Sequence, residues 1–295
     1  MLNQLKQRKG LSQDDDDYKE YLQKGFEGER KFDEILERLS KDSLIIQDLR
    51  LEANRQTFQI DTLVITGNNL LVYEIKNFHG EYTFHDNELK THPYKRVIMN
   101  PLTQLNRCGT LLNILLEKIG ASISVNRKLV FVNDSFVLYQ KTEHPDILLP
   151  QQIERHVSHL NSFSMPVNSV QRELGYKLLQ LHKTEDRYIQ VPEYTFEELK
   201  KEIMCPQCRL NLKTKNRRTA YCPSCGFSAL NTRIISEEVQ AFVLLFPDQK
   251  LTTAVIYDWC GALFPKRTIQ RVLATDYTES GTRRGTHYLH NSFCR

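Results

Sequence analysis

Apolar residues recur at helical spacing from Tyr18 to Leu39, at Leu22, Phe26, Phe32, Leu36 and Leu39, which predicts an amphipathic helix. Leu44–Leu51 reads as a strand. Phe58–Ile65 and Leu70–Lys76 read as two strands joined by Thr66-Gly67-Asn68-Asn69, a strong turn signal. Glu81–Phe84 adds a short strand. Asn100-Pro101 has the form of an N-cap followed by proline at the first helical position, and the helix it opens stops at Gly120. Lys128–Asn133 is a buried strand. Helix, strands, helix, strand predicts a mixed α/β domain over residues 18–140. Residues 141–202 read as a charged helical extension or linker, 203–230 as a compact cysteine module, and 231–295 as two helices and a hairpin. Residues 1–17, polar and ending in four consecutive aspartates, are expected to be disordered.

The hairpin carries the most informative chemistry. If its centre lies between Gly67 and Asn68, residues whose numbers sum to 135 lie opposite one another. Asp61 then faces Glu74 and Gln59 faces Lys76, with all four at one end of one face. The remaining positions are apolar on both faces, so the strand pair is covered on both sides. Two opposed carboxylates are costly there, both by repulsion and by desolvation. Lys76 offsets one charge, and a divalent cation with oxygen ligands would offset the rest. A structural salt-bridge cluster is the alternative. Glu29 lies on the apolar stripe of the first helix, flanked by Gly25 and Gly28, which would allow close approach to the sheet. Gln104 opens the stripe Cys108, Leu111, Leu115 of the second long helix.

Charge is unevenly distributed. The chain carries +4 overall, but residues 205–295 hold 13 Lys/Arg against 6 Asp/Glu. A basic C-terminal third on a near-neutral body points to nucleic acid. No apolar run approaches the roughly 20 residues that cross a bilayer, and no leader pattern opens the chain. A cytoplasmic protein with no membrane partner is therefore expected. The odd cysteine count argues against a disulfide framework. Four of the seven cysteines form two knuckles, Cys205-Pro206-Gln207-Cys208 and Cys222-Pro223-Ser224-Cys225. That spacing suits four thiolates around one structural Zn²⁺. Between the knuckles lie Lys213, Lys215, Arg217 and Arg218, which either grip phosphates or form a solvated hairpin.

Gly25-Phe26-Glu27-Gly28-Glu29, Gln59-Ile60-Asp61-Thr62-Leu63-Val64-Ile65, Tyr73-Glu74-Ile75-Lys76-Asn77-Phe78-His79-Gly80-Glu81-Tyr82 and Asn100-Pro101-Leu102-Thr103-Gln104 follow in order. This set resembles the nuclease-related domain, a family similar to the restriction-endonuclease-like PD-(D/E)XK nucleases. Ile60 stands where the motif name has proline. The resemblance implies a mixed sheet flanked by helices, with Asp61, Glu74 and the Ile75 carbonyl holding Mg²⁺ or Mn²⁺. It further implies that Lys76 orients water or screens charge, that Glu29 assists and that Gln104 completes the site.

Farther on, Thr253–Ala262 and Phe264–Leu273 read as helices followed by the basic turn Ser280–Tyr288. The order is similar to a winged helix, with Lys266, Arg267 and Arg271 on the helix that enters a major groove and Arg283 and Arg284 on the wing. The expected protein is a metal-dependent DNA nuclease with C-terminal DNA-binding modules, in DNA processing or in defence against phage and mobile elements. RNA is not excluded as substrate, and self-association is left open. The competing reading is a non-catalytic DNA-binding adaptor or transcription regulator that retains a nuclease fold.

Overall fold

A computed structural model describes residues 1–39, 42–67, 69–85, 88–139, 144–163, 165–184, 191–282 and 285–290. The chain divides into two compact units, Glu20–Ile189 and a second formed by Met1–Lys19 together with Gln190–Arg295. No described helix is long and apolar enough to cross a membrane.

The N-terminal residues do not match the expected disorder. They form α1 (Leu2–Arg8) and the start of α2 (Gln13–Leu36). The aspartates Asp14–Asp16 occupy the first turn of α2, where negative charge meets the positive end of the helix dipole. Ser12 Oγ accepts from the Asp15 N–H at 3.1 Å as a cap. Leu5 is buried in the core of the second unit, so the segment has an apolar anchor within its polar sequence.

In the first unit, β1 (Leu44–Ala53), β2 (Gln56–Ile65) and β3 (Asn69–Lys76) form an antiparallel meander. Between β3 and the next long element come β4 (Gly80–His85), β5 (Glu88–Thr91) and β6 (Val97–Ile98). Helix α3 (Pro101–Lys118) follows; Asn100 Oδ1 accepts from the Leu102 N–H, and Gly120 turns the chain away with φ +74°. Strand β7 (Ser124–Phe131) joins β3 in parallel. β8 (Phe136–Tyr139) and β9 (Ile147–Leu148) complete two sheets, with strand orders β1-β2-β3-β7-β9 and β6-β5-β4-β8.

The larger sheet is covered on both faces, as its apolar pattern requires. One face packs on α3 and on the inner side of the small sheet, through Leu63, Val72, Leu105, Leu112, Phe84 and Phe131. The other carries Val64, Tyr73 and Ile75 against Phe32 and Leu36 of α2 and Ile153 and Val157 of α4 (Pro150–Phe163). Helix α5 (Ser169–Gln180) adds Leu174 and Leu178 to the first of these cores. Residues 150–180 are thus part of the domain's core and not a linker. Only the C-terminal half of the stripe predicted on α2 is buried; Leu22 and Phe26 remain exposed.

In the second unit the cysteine module carries β10 (Lys213–Thr214), β11 (Thr219–Tyr221) and β12 (Ser228–Leu230) as a three-stranded sheet. It leads into α6 (Asn231–Leu245), α7 (Thr253–Trp259), α8 (Lys266–Asp276), β13 (Tyr277–Ser280) and β14 (His287–His290). Leu251, between α6 and α7, bridges Tyr288 of β14. The order is a helix, an isolated bridge, two helices and a hairpin. Cys205 and Cys222 share one core with Ile235, Trp259 and Leu273, so the cysteine module and the helices that follow it are packed together.

Candidate active site and metal centre

The β2–β3 ladder has the expected register, Thr62↔Tyr73 through Ile65↔Leu70. One residue farther the two strands part. The Ile75 N–H, freed from the ladder, donates to Asp61 Oδ2 at 2.7 Å. Meanwhile β3 continues its pairing with β7 on its other edge, through Glu74↔Leu129 to Lys76↔Phe131. Asp61 therefore caps a strand edge with its side chain. Glu74 is buried, and its Oε1 has no hydrogen-bond donor among the described residues. The Lys76 ammonium lies 2.6 Å from that oxygen without hydrogen-bonding geometry, and 3.4 Å from Gln104 Oε1.

Gln59 does not join the cluster, contrary to the simple hairpin reading. It pairs with Arg50, and its amide donates to Asp48 Oδ1 at 2.7 Å. Asp48 itself is a residue the sequence reading missed. In the β1–β2 register, Gln47 pairs with Thr62 and Leu49 with Ile60, leaving Asp48 opposite Asp61 but outside the ladder, with φ +47°. Asp48, Asp61 and Glu74 thus follow one another across three strands, from the exposed rim inward. The signal lay in Asn54-Arg55, whose positive φ values make the two-residue turn that sets this register.

Glu29 reaches the cluster from α2. Its neighbour Gly28 is required, because a Cβ there would come within 2.6 Å of Asn77 Cβ; Gly25 faces open space. Asn77 in turn donates to the Lys24 carbonyl at 2.8 Å and accepts from Asn133 at 2.9 Å, tying α2 to the ends of β3 and β7.

Burial, followed by the repulsion of Asp61, raises Glu74 from 4.5 to about 7. Burial, then Asp61, Asp48 and Asp33, raise Glu29 to about 7 as well. Asp61 is also raised, chiefly by burial, against the Ile75 N–H and Lys76. Burial opposes the Lys76 charge, but Glu74 and then Asp61 hold its pKa above the usual lysine value. The cluster is short of positive charge, since Lys76 alone faces Glu74 and Asp61, and a buried carboxylate in that setting fits a cation ligand. The carboxylates do not converge as a set of three ligands; among the described residues only the cysteines do so.

Those four cysteines place their sulfurs within 4.8 Å of one another, with Cys205···Cys225 at 3.5 Å and Cys208···Cys222 at 3.3 Å. Tetrahedral Zn–S bonds of about 2.3 Å require S···S separations of roughly 3.8 Å, so four thiolates here can hold zinc. Each knuckle turns through a residue in the left-handed region, Arg209 at φ +60° and Gly226 at φ +75°. Backbone N–H groups reach the first cysteine's carbonyl in both, from Arg209 at 2.9 Å and from Gly226 at 3.1 Å.

Lys213, Lys215, Arg217 and Arg218 are exposed on the ribbon hairpin, and Lys266, Arg267 and Arg271 are exposed on α8. Lys266 lies over the Tyr257 ring at 4.8 Å. Arg283 and Arg284 fall outside the described residues.

No curated protein and no solved structure matches the chain. Residues 24–132, which contain Glu29, Asp61, Glu74, Lys76 and Gln104, match the family model of the nuclease-related domain.

Proposed function

We propose that the nuclease-related domain hydrolyses phosphodiester bonds in DNA with Mg²⁺ or Mn²⁺, while the C-terminal unit, built around one structural Zn²⁺, holds the nucleic acid. The observation that carries this reading is the buried Glu74 carboxylate, its pKa raised by burial and by Asp61 with the single ammonium of Lys76 beside it, so that the cluster holds more negative than positive charge. Asp61, Glu74 and the Ile75 carbonyl would hold the cation. When bound, the cation supplies Lewis acidity at the scissile phosphate and lowers the pKa of the attacking water. Lys76 stays protonated and screens the charge that develops on the phosphate. Gln104 holds the Lys76 ammonium in place. Glu29, with a pKa near neutrality, can take up the proton that the water releases. Lys213, Lys215, Arg217 and Arg218 on the ribbon and Lys266, Arg267 and Arg271 on α8 would meet the phosphate backbone, with Arg283 and Arg284 assigned to the wing by sequence alone. The setting we infer is cytoplasmic, in DNA processing or defence against phage and mobile elements.

A second reading has its own support. The Lys76–Glu74 contact closes the site as a structural pair would, which suits a DNA-binding adaptor that retains the fold. Cleavage of plasmid, linear DNA and RNA with Mg²⁺ or Mn²⁺ separates the two. The nuclease reading expects cleavage by wild type, with Lys76→Ala losing it while keeping metal-dependent thermal stabilisation. Absence of cleavage on every substrate would leave the adaptor.

A further inference from the structure

The small sheet β6-β5-β4-β8 is inserted among the site's elements. The chain enters it at Gly80, four residues after Lys76, and leaves it at Ile98, six residues before Gln104. Its remaining strand, β8, begins five residues after Phe131, the β7 residue paired with Lys76. Three connections therefore fix this sheet beside the carboxyl ends of β3 and β7, the end of an open α/β sheet where ligands bind.

Its inner face, with Phe84, Leu89 and Phe136, belongs to the domain core. Its outer face is covered by no described element. One row across it runs Val97, Lys90, Thr83, Tyr139 in cross-strand register. The loop between β5 and β6 carries Tyr94, 87% exposed, and beyond β6 comes Met99, 89% exposed. Such a set of exposed large side chains calls for a partner. Among the described residues, Glu88 pairs with Lys90 at 2.6 Å and Glu81 with His92 at 3.1 Å. Lys95 and Arg96, beside Tyr94, form no ion pair among the described residues.

We infer that this outer face and its β5–β6 loop bind an unpaired nucleic-acid strand, Tyr94 stacking on a base while Lys95 and Arg96 contact the flanking phosphates. The chemistry selects the occupant. An exposed phenol ring beside two free cations complements a base next to its phosphates, and only an unpaired strand offers base faces to stack on. In a duplex those faces are covered. The inference rests on the reading of the domain as one that acts on nucleic acid.

The test uses the full chain without added divalent cation, so that binding is read apart from cleavage. Fluorescence anisotropy with labelled oligodeoxythymidylate should show Tyr94→Ala weakening binding by about 5- to 150-fold, the range given by 1–3 kcal/mol per stacked base. Tyr94→Phe should restore it, and affinity for a blunt hairpin duplex should stay within about twofold. Arg96→Ala should flatten the salt dependence on the single strand by about 0.7. Tyr94 is so exposed that its variant should melt like wild type. Unchanged single-strand affinity in Tyr94→Ala, an equal loss on duplex, or a change in self-association instead would overturn the inference. An active nuclease whose Tyr94→Ala variant binds single strands normally sinks this inference alone. A chain that stacks single strands but cleaves nothing sinks the nuclease reading alone.

Discussion

The two units each bury an acid beside a cation, and they treat the pair in opposite ways. In the C-terminal unit, Arg8 donates to Glu238 at 2.6 Å and to the carbonyls of Lys200 and Trp259, and lies 3.5 Å from the centre of the Trp259 ring. The Trp259 indole N–H donates to the same carboxylate oxygen at 3.0 Å. In the nuclease-related domain, Glu74 has the Lys76 ammonium 2.6 Å from one buried oxygen, outside hydrogen-bonding geometry, and a second acid, Asp61, whose repulsion acts on it. A structural ion pair is surrounded by groups that neutralise it; the acidic cluster is held together despite its charge. That difference, and not the presence of an acid-x-lysine motif, is what marks the second as a candidate site.

Removing the zinc should have the largest effect on this contrast. Structural zinc contributes about 10–16 kcal/mol in small modules at neutral pH, and the ribbon shares its core with α6 and α7. Cys222→Ser should therefore abolish the cooperative transition of the C-terminal unit and leave that of the nuclease-related domain in place, with loss of about one zinc per chain by elemental analysis. Retention of both calorimetric transitions would separate ribbon from winged helix.

Arg8→Ala comes next. Leaving Glu238 buried and unpaired should cost the C-terminal unit about 3–5 kcal/mol, seen in denaturant unfolding followed by Trp259 fluorescence. A loss well below 1 kcal/mol would mean that the pair is not structural, and the comparison would fail.

The smallest effect is the most diagnostic. Glu74 and Glu29 have folded pKa values raised from 4.5 to about 7. The folded state then holds protons that the unfolded state releases, so stability without metal is greatest below pH 4.5 for these two groups. It should fall between pH 4.5 and 7 and level off above. Glu74→Gln should flatten that slope and match or exceed wild type at pH 8 without metal. Mg²⁺ at a hundredfold excess over Kd should stabilise wild type by about 2.7 kcal/mol and the variant hardly at all. If Glu74→Gln destabilises the domain at pH 8 as Arg8→Ala does its own unit, the acidic cluster is a structural pair after all.

What the sequence determined by itself was whatever depends on short spacing. The two CxxC knuckles define a cluster of four cysteines that could hold a metal, because each knuckle is a local turn. The β2–β3 register follows from a four-residue turn and period-two alternation, so the pairing as far as Thr62 and Tyr73 was legible, whereas Asp61 and Glu74 lie just beyond it, where the strands part. The helix of α3 was legible from its cap and its closing glycine. What only the tertiary structure decided depends on contacts between distant segments. Asp48 enters the acidic row because a second hairpin at Asn54-Arg55 pairs β1 with β2, while Gln59 is drawn off to Asp48 by the same register. Leu22 and Phe26 keep the helical period yet stay exposed, because periodicity records a face and not what covers it. The polar N-terminus folds because Leu5 and Arg8 find partners about two hundred residues away, among them Lys200 and Glu238. No local pattern carries that, since burial is a property of the assembled core.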